Sequence, residues 1–129
     1  MNTDAIQEVM RETQAGKITF PQVVGKLQGV GVESYFCDFA TMTETIYMED
    51  GGTHSEKMSL AAGKIAEDDS ASGIVAAIRG AQADAIRYPE FVRQSPEAGV
   101  IGYWAFLTGK KVVYFGRKGE MHVEEFPKV

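Results

Sequence analysis

A chain of 129 residues with 44% hydrophobic and 24% charged side chains has room for one core and the composition of a folded domain, which excludes a disordered tail, a low-complexity linker or two independent domains. A formal charge of −5 at pH 7 argues against generic nucleic-acid binding, whose affinity comes largely from neutralising phosphates. No apolar run approaches the roughly 18 residues of a membrane span, and the single cysteine, Cys37, excludes an internal disulfide and any cysteine-based metal motif.

The first stretch, MNTDAIQEVMRE, is acidic and amphipathic, without the basic start or apolar centre of a signal peptide, so a cytoplasmic location is expected. Ile6, Val9, Met10 and Thr13 recur at helical spacing and predict a helix over residues 3–15, capped by Thr3 or Asp4. Pro21 opens a second, short helix, since a proline in the first turn lacks only an N–H that would have no partner there. Gly29 and Gly31 end it. VESYFCDF, TETIYM and THSEKM then read as three strands, with Asp50-Gly51 as a tight hairpin turn. In TETIYM apolar residues alternate with threonine and glutamate, the pattern of a half-exposed strand. Residues 59–69, SLAAGKIAEDD, form a linker whose acidic end runs into the positive pole of the next helix.

The same grammar then begins again. A helix over residues 71–83, capped by Ser70 or Ser72, turns Ile74, Ala77, Ile78 and Ala81 inward. Pro89 opens its successor, which Ser95-Pro96 and Gly99 are expected to shorten. VIGYWAFL, KKVVYF and MHVEEF follow as strands, with Lys118-Gly119 at the hairpin.

Sliding the chain by 68 positions makes the repetition explicit. Arg11, Gln14, Ala15, Ile18, Pro21, Val24, Gly31, Val32, Tyr35, Gly51, His54 and Glu56 all fall on identical residues, twelve matches in 47 aligned positions. Average residue usage would give roughly three. Phe20 with Tyr88, Phe36 with Trp104 and Tyr47 with Phe115 are conservative matches. The expected fold is therefore α+β: a duplicated helix–helix–three-strand meander with a pseudo-two-fold and six antiparallel strands. Residues 1–58 make one repeat and residues 70–127 the other, within a single domain covering 1–129.

The copies differ in two ways. Residues 1–69 carry five basic and twelve acidic groups, whereas residues 70–129 carry eight basic and six acidic ones. At matched hairpin tips Glu49 and Asp50 are replaced by Arg117 and Lys118, an inversion that fits either drift on solvated turns or a contact between subunits. The second copy's strands are also apolar on both faces, so its sheet must be covered twice. Helices cover one side; the first repeat is the expected cover for the other, with a partner or ligand as the alternatives.

GKITFPQVVGKLQGVGVESYFCDF and the C-terminal YFGRKGEMHVEEFP resemble the YdfO-like family of small bacterial and prophage proteins, some of which are labelled "phage envelope protein". The resemblance covers nearly the whole chain and is weakest between residues 59 and 70. It implies an α+β fold and brings no catalytic residues and no cofactor.

Two sets of matched residues are candidates for a ligand or metal site. His54 and His122 each precede a glutamate by two positions, Glu56 and Glu124, so on a strand each imidazole shares a face with a carboxylate. The pairs could orient a general base or, if the halves face one another, form a metal site of two histidines and two carboxylates. The plainer reading is an exposed strand pair inherited from the duplicated ancestor. Tyr35 and Tyr103 are core residues with satisfied hydroxyls or else pocket walls. Cys37, mid-strand and without a neighbouring cation, reads as a small buried hydrophobe. LTGKKVVYFGRKG interleaves aromatic and basic residues but matches neither an RNA-binding strand nor a phosphate loop.

With no catalytic motif, the sequence leans away from an enzyme. It favours an interaction or accessory module needing no cofactor, which meets a protein partner or a second copy through the apolar second sheet, without nucleic acid or membrane. The alternative is a small-molecule or metal-binding protein with a site between the repeats.

Overall fold

The computed structural model describes residues 1–126. Helices α1 (Thr3–Gln14) and α2 (Phe20–Gln28) precede strands β1 (Val32–Asp38), β2 (Thr43–Met48) and β3 (Thr53–Lys57). Helices α3 (Ala71–Gln82) and α4 (Tyr88–Glu97) then precede β4 (Val100–Phe106), β5 (Lys111–Gly116) and β6 (Met121–Glu125). This is the expected α+β unit, made twice. Residue 127, the predicted end of the second repeat, lies outside the described residues. Among those residues no helix is long and apolar enough to cross a membrane.

Local chemistry sets the helix ends, with two departures from expectation. Asn2, rather than Thr3 or Asp4, caps α1: its side-chain oxygen accepts the Ala5 N–H at 3.1 Å. Ser70 caps α3 by accepting from Gly73 N, one of the two serines expected. Helix α4 is not shortened by Ser95-Pro96. It has 10 residues against 9 in α2, with Pro96 inside it. A proline in the last turn forfeits one bond, and the chain closes around it: Ala98 N donates to Gln94 O and Gly99 N to Pro96 O. The helix therefore stops after the proline.

The six strands form one antiparallel sheet in the order β3-β2-β1-β4-β5-β6. Its two halves meet at a seam where β1 pairs with β4, and the register sets Phe36 opposite Trp104. These are the residues that the 68-position shift superposes, so the pseudo-two-fold axis passes through this pair. The backbone obeys the same symmetry. Among the described residues those with positive φ fall into four matched pairs: Gly16 with Asp84, Gly31 with Gly99, Met42 with Lys110, and Gly51 with Gly119.

Tyr35, Cys37, Tyr103, Ala105, Val112 and Tyr114 point to one side of the sheet and are buried beneath the helices. Phe91 of α4 packs edge-on against Tyr103 and Tyr114. The opposite side corrects an expectation. The first repeat does not cover the apolar face of the second, because the seam joins the two edge to edge and a sheet extended sideways covers nothing. Phe36, Tyr47, Trp104, Phe106 and Phe115 lie there only half-buried. Trp104 stacks between Tyr47 and Phe106, with ring centroids 5.4 Å from each. Its indole N–H has no hydrogen-bond partner among the described residues. Met121 and Val123, 66% and 50% exposed, extend this apolar face to the β6 edge.

Matched glycines sit in unmatched surroundings. A Cβ at Gly31 (φ +86°) would touch Met48 Cε at 3.6 Å, whereas one at Gly99 (φ +90°) would meet Asp68 O at 2.6 Å and Asp69 Cα at 2.8 Å. Gly31→Ala should cost about 1–2 kcal/mol for the left-handed backbone alone. Gly99→Ala should cost about 2 kcal/mol more, because the linker backbone must also move. Urea unfolding of the two variants measures the difference, and equal losses would mean that the linker yields freely.

Candidate functional site

The helix-side face of the sheet carries every candidate residue. Each His–Glu pair forms locally: His54 Nε2 lies 2.9 Å from Glu56 Oε2, and His122 Nε2 lies 3.3 Å from Glu124 Oε2. Each carboxylate also takes a donor from the first helix of its own repeat. Gln7 of α1 donates to Glu56, and Arg79 of α3 to Glu124. Burial works against the charge on Glu124, but the hydrogen bonds from Arg79 and His122 outweigh it and hold the carboxyl below its ordinary range. In both repeats the carboxylate straps an edge strand to the helix above it.

The structure does not bring the two pairs together. β3 and β6 are opposite edges of the sheet, five strand spacings or about 24 Å apart. The two-histidine, two-carboxylate site between the repeats is therefore not formed within one chain. The cause is the symmetry itself: an axis through the central seam sends matched residues on the outer strands as far apart as the sheet allows. No group of three or more histidine, cysteine, aspartate or glutamate side chains among the described residues is arranged to hold a metal ion.

Tyr35 and Tyr103 are brought together because their strands flank the axis. Their rings meet edge-on with centroids 6.1 Å apart. Tyr88 Oη lies 2.7 Å from Tyr103 Oη and 3.5 Å from Cys37 Sγ. Burial, the leading cause in each case, pushes the Cys37 thiol and the hydroxyls of Tyr35, Tyr88 and Tyr103 well above their ordinary ranges. Burial thus favours the neutral forms of these groups, which lie within hydrogen-bonding distance of one another.

Beside it lies a cavity of about 290 Å³, with Tyr35, Tyr103 and Glu124 in its wall. His54, Glu56 and His122 do not line it. Tyr88, Tyr114 and Arg87 do, and none of them was singled out from the sequence. Tyr88 had a signal, since it stands where the first repeat has Phe20. Tyr114 had none, because its counterpart is Ile46. Arg87 ties the halves together by donating to Gly16 O at 3.0 Å.

Glu44 is the other group missed. It is 7% exposed and lies opposite Cys37 across β1 and β2. The alternation in TETIYM was correct, but Glu44 shares the inward face with Ile46 and Met48 while Thr43, Thr45 and Tyr47 lie outward. Burial first, and the Glu56 charge second, raise its pKa from 4.5 to about 7.

A folded-state pKa above the unfolded one means that the folded protein holds the proton more tightly. Stability linked to Glu44 is therefore fully present below about pH 4.5, declines as pH rises through 7 and then levels off, a loss of about 3 kcal/mol. Urea unfolding at about pH 5 and about pH 8 should show most of this loss in the wild type and a smaller one in Glu44→Gln; parallel losses would clear Glu44 of responsibility. The strand separation makes a second prediction. His54→Ala should leave the NMR chemical shifts of the His122 ring unchanged, since at about 24 Å the two are out of contact and beyond screened electrostatic reach.

None of the curated proteins compared with the chain matches it. The family described as "Protein of unknown function (DUF1398)" matches residues 19–125, from the residue that precedes α2 to the last residue of β6. By that match over most of its length, the chain belongs to the DUF1398 family.

Proposed function

We propose that the protein is a non-enzymatic interaction module that docks through the open face of its sheet, with a second copy of itself as the partner. The observation that carries this reading is the half-exposed aromatic band of Phe36, Tyr47, Trp104, Phe106 and Phe115, continued by Met121 and Val123. Two-layer folds of this kind leave a polar outer face on the sheet when that face meets water. This one is polar over β2 and β3, where Thr43, Thr45, Thr53 and Ser55 lie outward, and at the strand ends, where Asp38 and Lys111 share the side of Phe36 and Trp104, while the middle of β1, β4, β5 and β6 is apolar.

The face spans about 24 Å across the strands and about 17 Å along them. Two such faces bury on the order of 1,000 Å², the low end for a specific interface. Charge favours self-association. The acidic tip (Glu49, Asp50) and the basic tip (Arg117, Lys118) are related by the internal two-fold, so they occupy diagonally opposite corners of the sheet. A second two-fold axis, lying in the sheet plane along the other diagonal, lays each acidic tip over the partner's basic one, and the two sheets cross steeply. Lys118 already reaches Asp68 at 3.1 Å while remaining exposed; Arg117 is exposed as well.

The leaning away from catalysis rests on the buried cluster, whose thiol and hydroxyls are held protonated. A cytoplasmic setting fits the single free thiol, Cys37. From the resemblance to the YdfO-like family we carry forward a bacterial or prophage-encoded accessory role, without the envelope label.

Sedimentation equilibrium should give a dimer at about 100 μM, a generous concentration for an interface of this size. Met121→Asp with Val123→Asp should yield a monomer that melts as the wild type does at dilutions where the wild type is also monomeric, because both side chains are already exposed in the single chain. Arg117→Glu with Lys118→Glu should weaken the dimer several-fold, and adding Glu49→Lys with Asp50→Lys should restore it. A wild-type monomer would sink the self-association, and a dimer indifferent to all four charge reversals would sink the packing of the tips.

A further inference from the structure

We propose that the cavity beside Tyr35 and Tyr103 is a binding site for a neutral molecule of one or two aromatic rings bearing a single hydroxyl or amide group. The site lies on the helix side of the sheet, away from the docking face, and does not depend on it. Both repeats build its wall. Ile18 and Phe20 come from the first, and Ile78, Phe91 and Tyr114 from the second.

Size selects the ligand first. About 290 Å³ is at the small end of ligand pockets, enough for a ring system and too little for a nucleotide or a peptide. Chemistry selects next. The rings of Phe20 and Phe91 offer faces and edges to a bound aromatic ring, and a space with walls this apolar is a poor host for water. The hydroxyls of Tyr103 and Tyr114, kept protonated by burial, can donate to or accept from one polar group.

Charge then excludes anions. Arg87 is engaged by Asp84 and by the Gly16 carbonyl. Glu124 is engaged by Arg79 and His122. The cation in the cavity wall, Arg87, is thus already paired and the other charges there are carboxylates, so an anionic ligand would enter without a counter-ion. Exposed Asp84 and Glu125, which also line the cavity, mark its mouth.

The duplication makes this site one-sided. Where the second half has Val112 and Tyr114, the first has Glu44 and Ile46. A carboxyl stands on the first repeat's side at the position of a cavity-lining valine.

The test is an NMR titration of the full chain with p-cresol, indole and benzoate, the last as a charged probe of similar size. The two neutral probes should give saturable shifts at Tyr35, Ile78, Tyr103 and Tyr114 by about 1–5 mM, a generous range for so few atoms. The Trp104 indole resonance, on the other face of the sheet, should stay still. Ala81→Phe places a ring in the cavity wall and should weaken both probes at least tenfold. Tyr114→Phe keeps the packing and should weaken p-cresol several-fold more than indole. The proposal is overturned if neither neutral probe saturates, if binding survives Ala81→Phe undiminished, or if benzoate binds as well as p-cresol. Should Ala81→Phe fail to fold, the p-cresol to indole ratio in Tyr114→Phe decides alone.

Discussion

The pairing of β1 with β4 is the constraint from which the rest of the molecule follows. Each repeat ends its sheet on that strand, and joining the two antiparallel makes six strands from three and three. The join fixes the axis through Phe36 and Trp104, and with it every distance between matched residues. Positions on β1 and β4 become neighbours, which is why Tyr35 and Tyr103 share a wall. Positions on β3 and β6 become the remotest pair on the sheet, which is why the two histidines never meet. A join made at the outer edges, β3 against β6, would have reversed both outcomes with no change in local structure.

The join also divides the molecule into a dry side and a bare one. All buried tyrosines and the cysteine lie under the helices, where loss of water holds their protons in place. The other side keeps the aromatic residues that the helices cannot reach. Phe36, Trp104, Tyr47 and Phe106 then pack on one another, each ring covering part of its neighbour. Such a cluster lowers the exposed apolar area without removing it.

Much of this was legible in the residues. Prolines and glycines at matched positions marked helix starts, helix ends and hairpins, because those residues answer to backbone geometry and need no distant partner. The duplication itself was visible as identities at one fixed offset. Contacts between elements were not visible. Nothing in VIGYWAFL says whether its second face meets another layer or lies open, since hydrophobicity records the need for cover and not its source. Glu44 shows a related blind spot: alternation put it on the face of Ile46, yet a carboxylate in a strand reads as solvated until the burial around it is known. Pro96 failed for a smaller reason, that a proline in the final turn forfeits a single bond.

A strand that pairs with its own duplicate has a further meaning. Suppose the chain is cut within the 59–69 segment. Each half would be left with a bare edge, β1 or β4, whose natural partner is a copy of itself carried by the other half. The same edge could close on a second identical half, Phe36 against Phe36 or Trp104 against Trp104, and rebuild a six-stranded sheet from two short chains. What is now an internal seam thus has the form of a subunit boundary, and the linker supplies the high effective concentration that a free pair of halves would lack.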